Sequence, residues 1–142
     1  MKKILFRGKT PAGKWVSSGN LLHFNEEGGL FFIPAMDDKC IADHDLENDD
    51  IIAIENTRFH KVLTETVSQY TGFNDKNGNP IFEGDILRIG EGYWDCFVEF
   101  ESGCFITTGC EKARRCHKSP LLTGNVFEII GNIWDNPELL EV

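Results

Sequence analysis

The chain has 142 residues, 41% of them hydrophobic and 11% aromatic, and a formal net charge of −9. That length suits one compact unit, or two very small ones sharing an interface, with no need of a disulfide or metal for stability. The acidic balance argues against a general nucleic-acid binder, which carries a basic footprint, and runs such as LFFI and VFEII fall far short of the ~18 residues of a spanning helix.

The start, MKKILFRGKT, reaches Arg7 after only three apolar residues. It lacks the apolar region of a signal peptide, so a cytoplasmic location and no membrane association are expected. In KILFRGK, Ile4 and Phe6 share one strand face while Lys3 and Arg7 share the other. PAGK then turns the chain, and KWVSSGNLLHF resumes with Leu22 and Phe24 on one face. NEEGG turns it again into LFFIP. Three short segments separated by Gly or Pro predict an antiparallel meander.

Residues 35–50 (AMDDKCIADHDLENDD) are poor in apolar side chains and read as an exposed loop. Between Asp37 and Asp50 seven acids and one lysine give a local charge of −6. IIAIEN predicts a strand, and FHKVLTETVSQYTGF fits either a strand or a short helix. Next, QYTGFNDKNGNPIFEGDIL concentrates turn chemistry. Asn77-Gly78 predicts a tight turn because both residues tolerate positive φ, and Glu83-Gly84-Asp85 predicts a second.

ILRI begins a strand. In YWDCFVEFE, Trp94, Cys96, Val98 and Phe100 alternate with Tyr93, Asp95, Phe97, Glu99 and Glu101, predicting a strand with one buried face. Glu101-Ser102-Gly103 turns into CFITT, a loop follows through Pro120, and VFEIIGNIW is the last strong strand. Asp135 or Asn136 can cap Pro137-Glu138-Leu139-Leu140 as a short helical turn. The expected fold is mainly β: an N-terminal β meander over 1–68 packed on an SH3-like small barrel over 69–142, in a single unit.

Several of these segments resemble one family, the YopX-like proteins of bacteriophages and prophages. The resemblance rests on ILFRGK with GKWVSSGNL, on TETVSQYTGFNDKNGNPIFEGDIL, and on the close VFEIIGNIWDNPELLE. Residues 35–60 and 109–121 lie outside it. The resemblance implies a phage-derived, mostly β protein acting in a bacterial host cell, and it supplies no catalytic residue.

The residues themselves point away from catalysis. A phosphate loop needs GxxxxGK[ST] opening a helix, and GFNDKNGNP has neither the lysine nor the hydroxyl. The acids at 43–50 lack the central Gly and twelfth-position Glu of a calcium loop. Cys104, Cys110, Cys116 and His117 form the one dense ligand cluster, but the cysteines stand six residues apart, unlike the close pairs of structural zinc sites. The five cysteines, odd in number and without a CxxC pair, read as free and mostly buried thiols. His23 and His60 read as partly buried packing residues beside Phe24 and Phe59. Cys116, close to Arg114, Arg115 and Lys118, is the one candidate for an activated thiol. No metal or cofactor is expected.

A binding role remains. Tyr93 and Phe97 are aromatics on the polar face of their strand, suited to packing or to a partner. The acidic residues Asp43, Asp45, Asp49 and Asp50 and the basic Arg114, Arg115 and Lys118 could pair between copies. The expected function is therefore a non-enzymatic accessory protein working through protein contacts, as a homo-oligomer or with a host protein. The alternative is an acidic decoy of a host nucleic-acid enzyme.

Overall fold

The computed structural model describes residues 3–24, 30–34, 51–54, 57–90, 94–109 and 118–140. Of these, 61% lie in strands, paired antiparallel throughout. The chain divides into two compact units, Met1–Gln69 and Tyr70–Val142.

In the first unit β1 (Phe6–Lys9) and β2 (Trp15–Ser18) form a hairpin with Lys9 opposite Trp15. Thr10 closes it: its backbone N–H donates to the Lys14 carbonyl at 2.8 Å and its hydroxyl accepts from the Lys14 N–H at 3.1 Å. The strands β3 (Leu22–Phe24), β4 (Leu30–Pro34), β5 (Ile51–Ile54) and β6 (Thr57–Val62) form a sheet in the order β3-β4-β6-β5. The expected antiparallel N-terminal strands are present, with a finer pairing than local pattern gives. KWVSSGNLLHF makes two strands, and β4 pairs with β6 while β5 takes the edge. β6 accordingly has strand partners on both sides, and its Val62 and His60 are buried.

A 3₁₀ turn at Thr64–Thr66 separates β6 from β7 (Ser68–Asn74), so the ambiguous segment is two strands around a short turn. The buried Thr66 hydroxyl locks that turn, donating to the Leu63 carbonyl at 2.6 Å and accepting the Lys9 N–H at 2.9 Å. The core gathers Val16, Ile33 and Val62. Gly8 is required by this packing, since a Cβ there would sit 2.7 Å from Val62.

In the second unit β8 (Pro80–Phe82) pairs with β7, and a five-stranded sheet runs β12-β11-β10-β9-β13. Its members are β9 (Asp85–Ile89), β10 (Trp94–Glu101), β11 (Cys104–Gly109), β12 (Lys118–Pro120) and β13 (Phe127–Asn132). Four strands follow as a meander and the fifth returns beside the first, bulged between Ile129 and Gly131. The expected barrel is present as an open half-barrel. A 3₁₀ turn at Pro137–Leu140 follows; Asn136 turns its side chain back to accept the Asn132 N–H at 3.2 Å.

Two turns carry this unit. Gly84 has φ +89° and lies against the Trp134 ring, which fills the space a Cβ would need. Ser102 and Gly103, at φ +52° and +83°, make the two-residue hairpin loop between Glu101 and Cys104, a backbone that matches strand twist. At the NG turn only Gly78 takes positive φ; Asn77 does not.

Three other expectations change. Phe100 is 53% exposed at the hairpin end, where it meets Phe105 edge-on, although Cys96 and Val98 of the same face are buried. Ile4 lies before β1 and is half-exposed, because pairing with β2 starts only at Phe6. Lys118–Pro120, read as loop, is a strand because β11 offers it an edge.

Candidate contact surfaces

Asp43, Asp45, Asp49, Asp50, Tyr93, Arg114, Arg115 and Cys116 lie outside the described residues. Of the other expected contact residues, Phe97 is half-buried in β10, with Ile86 and Thr108 as its neighbours across the sheet. Lys118 sits on β12, where its Nζ meets Glu101 at 3.0 Å. Cys96 is buried and Cys104 exposed. His60 is buried as expected, whereas His23 is exposed and stacks flat on Phe31 at 4.4 Å.

The sheet alternation that buries Cys96 and Val98 places charged side chains on the opposite face. Arg88 lies between its cross-strand neighbours Asp95 and Glu128. Its guanidinium donates to both Asp95 oxygens, at 2.8 and 3.0 Å, and these bonds hold its pKa above the ordinary value. Glu128 also meets Lys76 at 3.6 Å, and Glu99 accepts from the Thr108 hydroxyl at 2.7 Å. These acids are engaged within the fold.

Two further carboxylates are buried. Asp85 accepts the Phe82 N–H at 2.7 Å across the Glu83-Gly84 turn. Asp75 accepts the N–H groups of Asn77 and Asn79 on one oxygen, both at 2.9 Å, and that of Ile129 on the other at 3.1 Å. Burial alone would raise its pKa, but the backbone donors Ile129, Asn79 and Asn77 together lower it below the usual carboxylate value. A carboxylate held in this way fastens the turn to β13; it is too firmly ionised to serve as a general acid near neutral pH. Among the described residues no three His, Cys, Asp or Glu gather as metal ligands.

Among the described residues, two surfaces offer binding without such chemistry. One is the outer edge of β5, whose sequence IIAI carries neither charge nor proline and whose described pairing is with β6. The edges of the half-barrel differ: β12 carries Lys118 and Pro120, and β13 is bulged. Lysine, proline and bulges are the usual means of blunting an edge.

The other surface is a hollow of about 350 Å³ in the second unit, where β9 and β11 end and β13 begins. Ile89, Pro120, Leu122, Val126 and Phe127 supply apolar walls; Thr107, Ser119 and Thr123 supply hydroxyls; Cys96 and Gly109 complete the lining. None of these bears a charge at neutral pH. Leu122 is 78% and Val126 52% exposed beside it. Sequence reasoning missed this site because its residues come from separate strands and from the β12–β13 connection, and only tertiary structure brings them together.

Among the described residues no helix is long and apolar enough to cross a membrane. Comparison with known families finds a match to the model described as YopX protein over residues 6–141. No curated protein matches the chain.

Proposed function

This chain belongs to the YopX protein family, which suggests a phage-related protein, and on that premise we propose that it is an accessory protein that self-assembles and works through polypeptide contacts. The observation that carries the reading is the β5 edge. A strand reading IIAI at the border of a four-stranded sheet presents a row of backbone donors and acceptors with no strand partner on its outer side among the described residues. Two copies related by a two-fold axis can pair β5 with β5 antiparallel, a closed arrangement that joins their sheets and satisfies both edges at once. Among the described residues, the uncharged lining of the hollow and the structural use of Asp75 and Asp85 favour contact over catalysis. The engagement of Asp95, Glu99 and Glu128 within the fold weighs against a decoy that must present free negative charge.

Size-exclusion chromatography with light scattering, in low and in high salt, tests this. A dimer that persists in high salt is expected, since backbone pairing is screened far less than exposed charges. Ala53→Lys, at an exposed side chain of β5, should yield a monomer by bringing like charges together across adjacent strands. A wild-type monomer, or an oligomer unchanged by Ala53→Lys, defeats β5 pairing. An oligomer that loosens in salt instead points to the acidic segment 37–50 and the basic segment 111–118, and Arg114→Glu with Arg115→Glu should then weaken it.

A further inference from the structure

We propose that the hollow of the second unit binds a small, uncharged molecule with an aromatic or branched aliphatic body and one hydrogen-bonding group. Its volume, about 350 Å³, lies within the range of small-molecule sites, roughly 300–1,000 Å³. Size also decides against a folded partner. Ten of the described residues line the hollow, whereas a stable protein interface engages about 20–30 on each side.

The lining chooses the chemistry of the ligand. Ile89, Val126 and Phe127 offer an apolar wall, and none of the described lining residues carries an ionised side chain. A carboxylate or ammonium group entering there would lose its water without gaining a counter-charge. Polar recognition comes from Thr107, Ser119 and Thr123. Thr107 is nine-tenths buried, and its hydroxyl donates only a long 3.4 Å bond to the Ser119 carbonyl. Thr123 accepts a similarly long 3.4 Å bond from the Asn125 N–H. Hydroxyls held this loosely can redirect toward a ligand carbonyl or N–H at little cost. The ligand then lies with its body against Phe127 and Ile89 and its polar atom toward Thr107.

This site belongs to the second unit and the proposed β5 contact to the first, so either can fail without the other. The test titrates the full chain, followed by amide NMR, with indole and with indole-3-carboxylate as its charged counterpart. Indole should give saturable shifts at residues around the hollow with Kd of about 1 mM or tighter. The carboxylate should bind about tenfold or more weakly. In parallel, saturating indole should slow alkylation of Cys96, which faces the hollow, by a small neutral thiol reagent. Cys104, exposed and outside the lining, should react at its original rate.

Ser119→Phe places a ring in the space from an exposed strand position and should abolish both effects with the melting temperature preserved. Should that variant misfold, Thr123→Trp from the adjoining loop serves the same end. No saturable shift with indole, equal affinity for the two probes, or protection that survives the filled hollow would overturn the proposal.

Discussion

The two units solve the problem of a small β core in different ways. The first packs close: Gly8 leaves room for Val62, the buried Thr66 ties its turn to β1, and the sheet border at β5 carries neither charge nor proline. The second leans on polar pins, with Asp75 and Asp85 buried in turns and both sheet borders blunted. A unit with guarded borders is suited to stand alone, and one with an unguarded border is suited to a partner. This difference is why the proposed assembly is placed on the first unit and the proposed ligand site on the second.

The largest expected effect is in the second unit. Gly84→Ala combines a strained φ with collision against the Trp134 ring and should cost about 3 kcal/mol or more. Because the two units need not unfold together, amide hydrogen exchange read unit by unit is the measurement. Loss of protection confined to residues beyond 70 would support two separable solutions; uniform loss would break the comparison.

Asp75→Ala comes next, at about 2–3 kcal/mol, because it leaves three backbone donors without their carboxylate. Its pH dependence has a definite sign. The folded pKa lies below the unfolded value of about 3.9, so the stabilisation is present above that value and is lost as pH falls through the folded pKa. Acid titration of unfolding by urea should show a destabilising limb below about pH 4 that shrinks in the variant. An unchanged limb would assign acid sensitivity to other carboxylates.

For the first unit, Gly8→Ala should cost about 1–3 kcal/mol by overpacking against Val62. Adding Val62→Ala should recover part of that loss, with a coupling of about 1 kcal/mol in a double-mutant cycle. Strict additivity would show that the approach of β1 to Val62 does not limit packing. The smallest effects are on the charged face. Arg88→Ala removes a two-bond pair with a largely buried Asp95 and should cost about 1 kcal/mol, while Lys118→Ala, in an exposed pair with Glu101, should cost less than about 0.5 kcal/mol. Equal values in urea melts would show that burial does not separate the two pairs.

Local chemistry was legible where the chain needs a special backbone or a regular alternation. Gly84, the Ser102-Gly103 loop and the strand containing Cys96 and Val98 follow from positive φ and period two. Phe100 departs from that period because the strand reaches a hairpin end where no layer covers it. The β5 strand was visible as IIAI, but its place at a border was not, since border or centre depends on which distant strand pairs beside it.

The amino-acid sequence by itself determined the mainly β class, the tight turns and the family, because these depend on backbone preference and local pattern. Tertiary structure alone decided that Asp75 reaches the Ile129 N–H and that Thr107, Ser119 and Phe127 meet around one hollow. Those residues are far apart along the chain, and hydrogen bonds and apolar contacts act only over a few ångströms. Which of them meet is set by strand order and register, which no local pattern encodes.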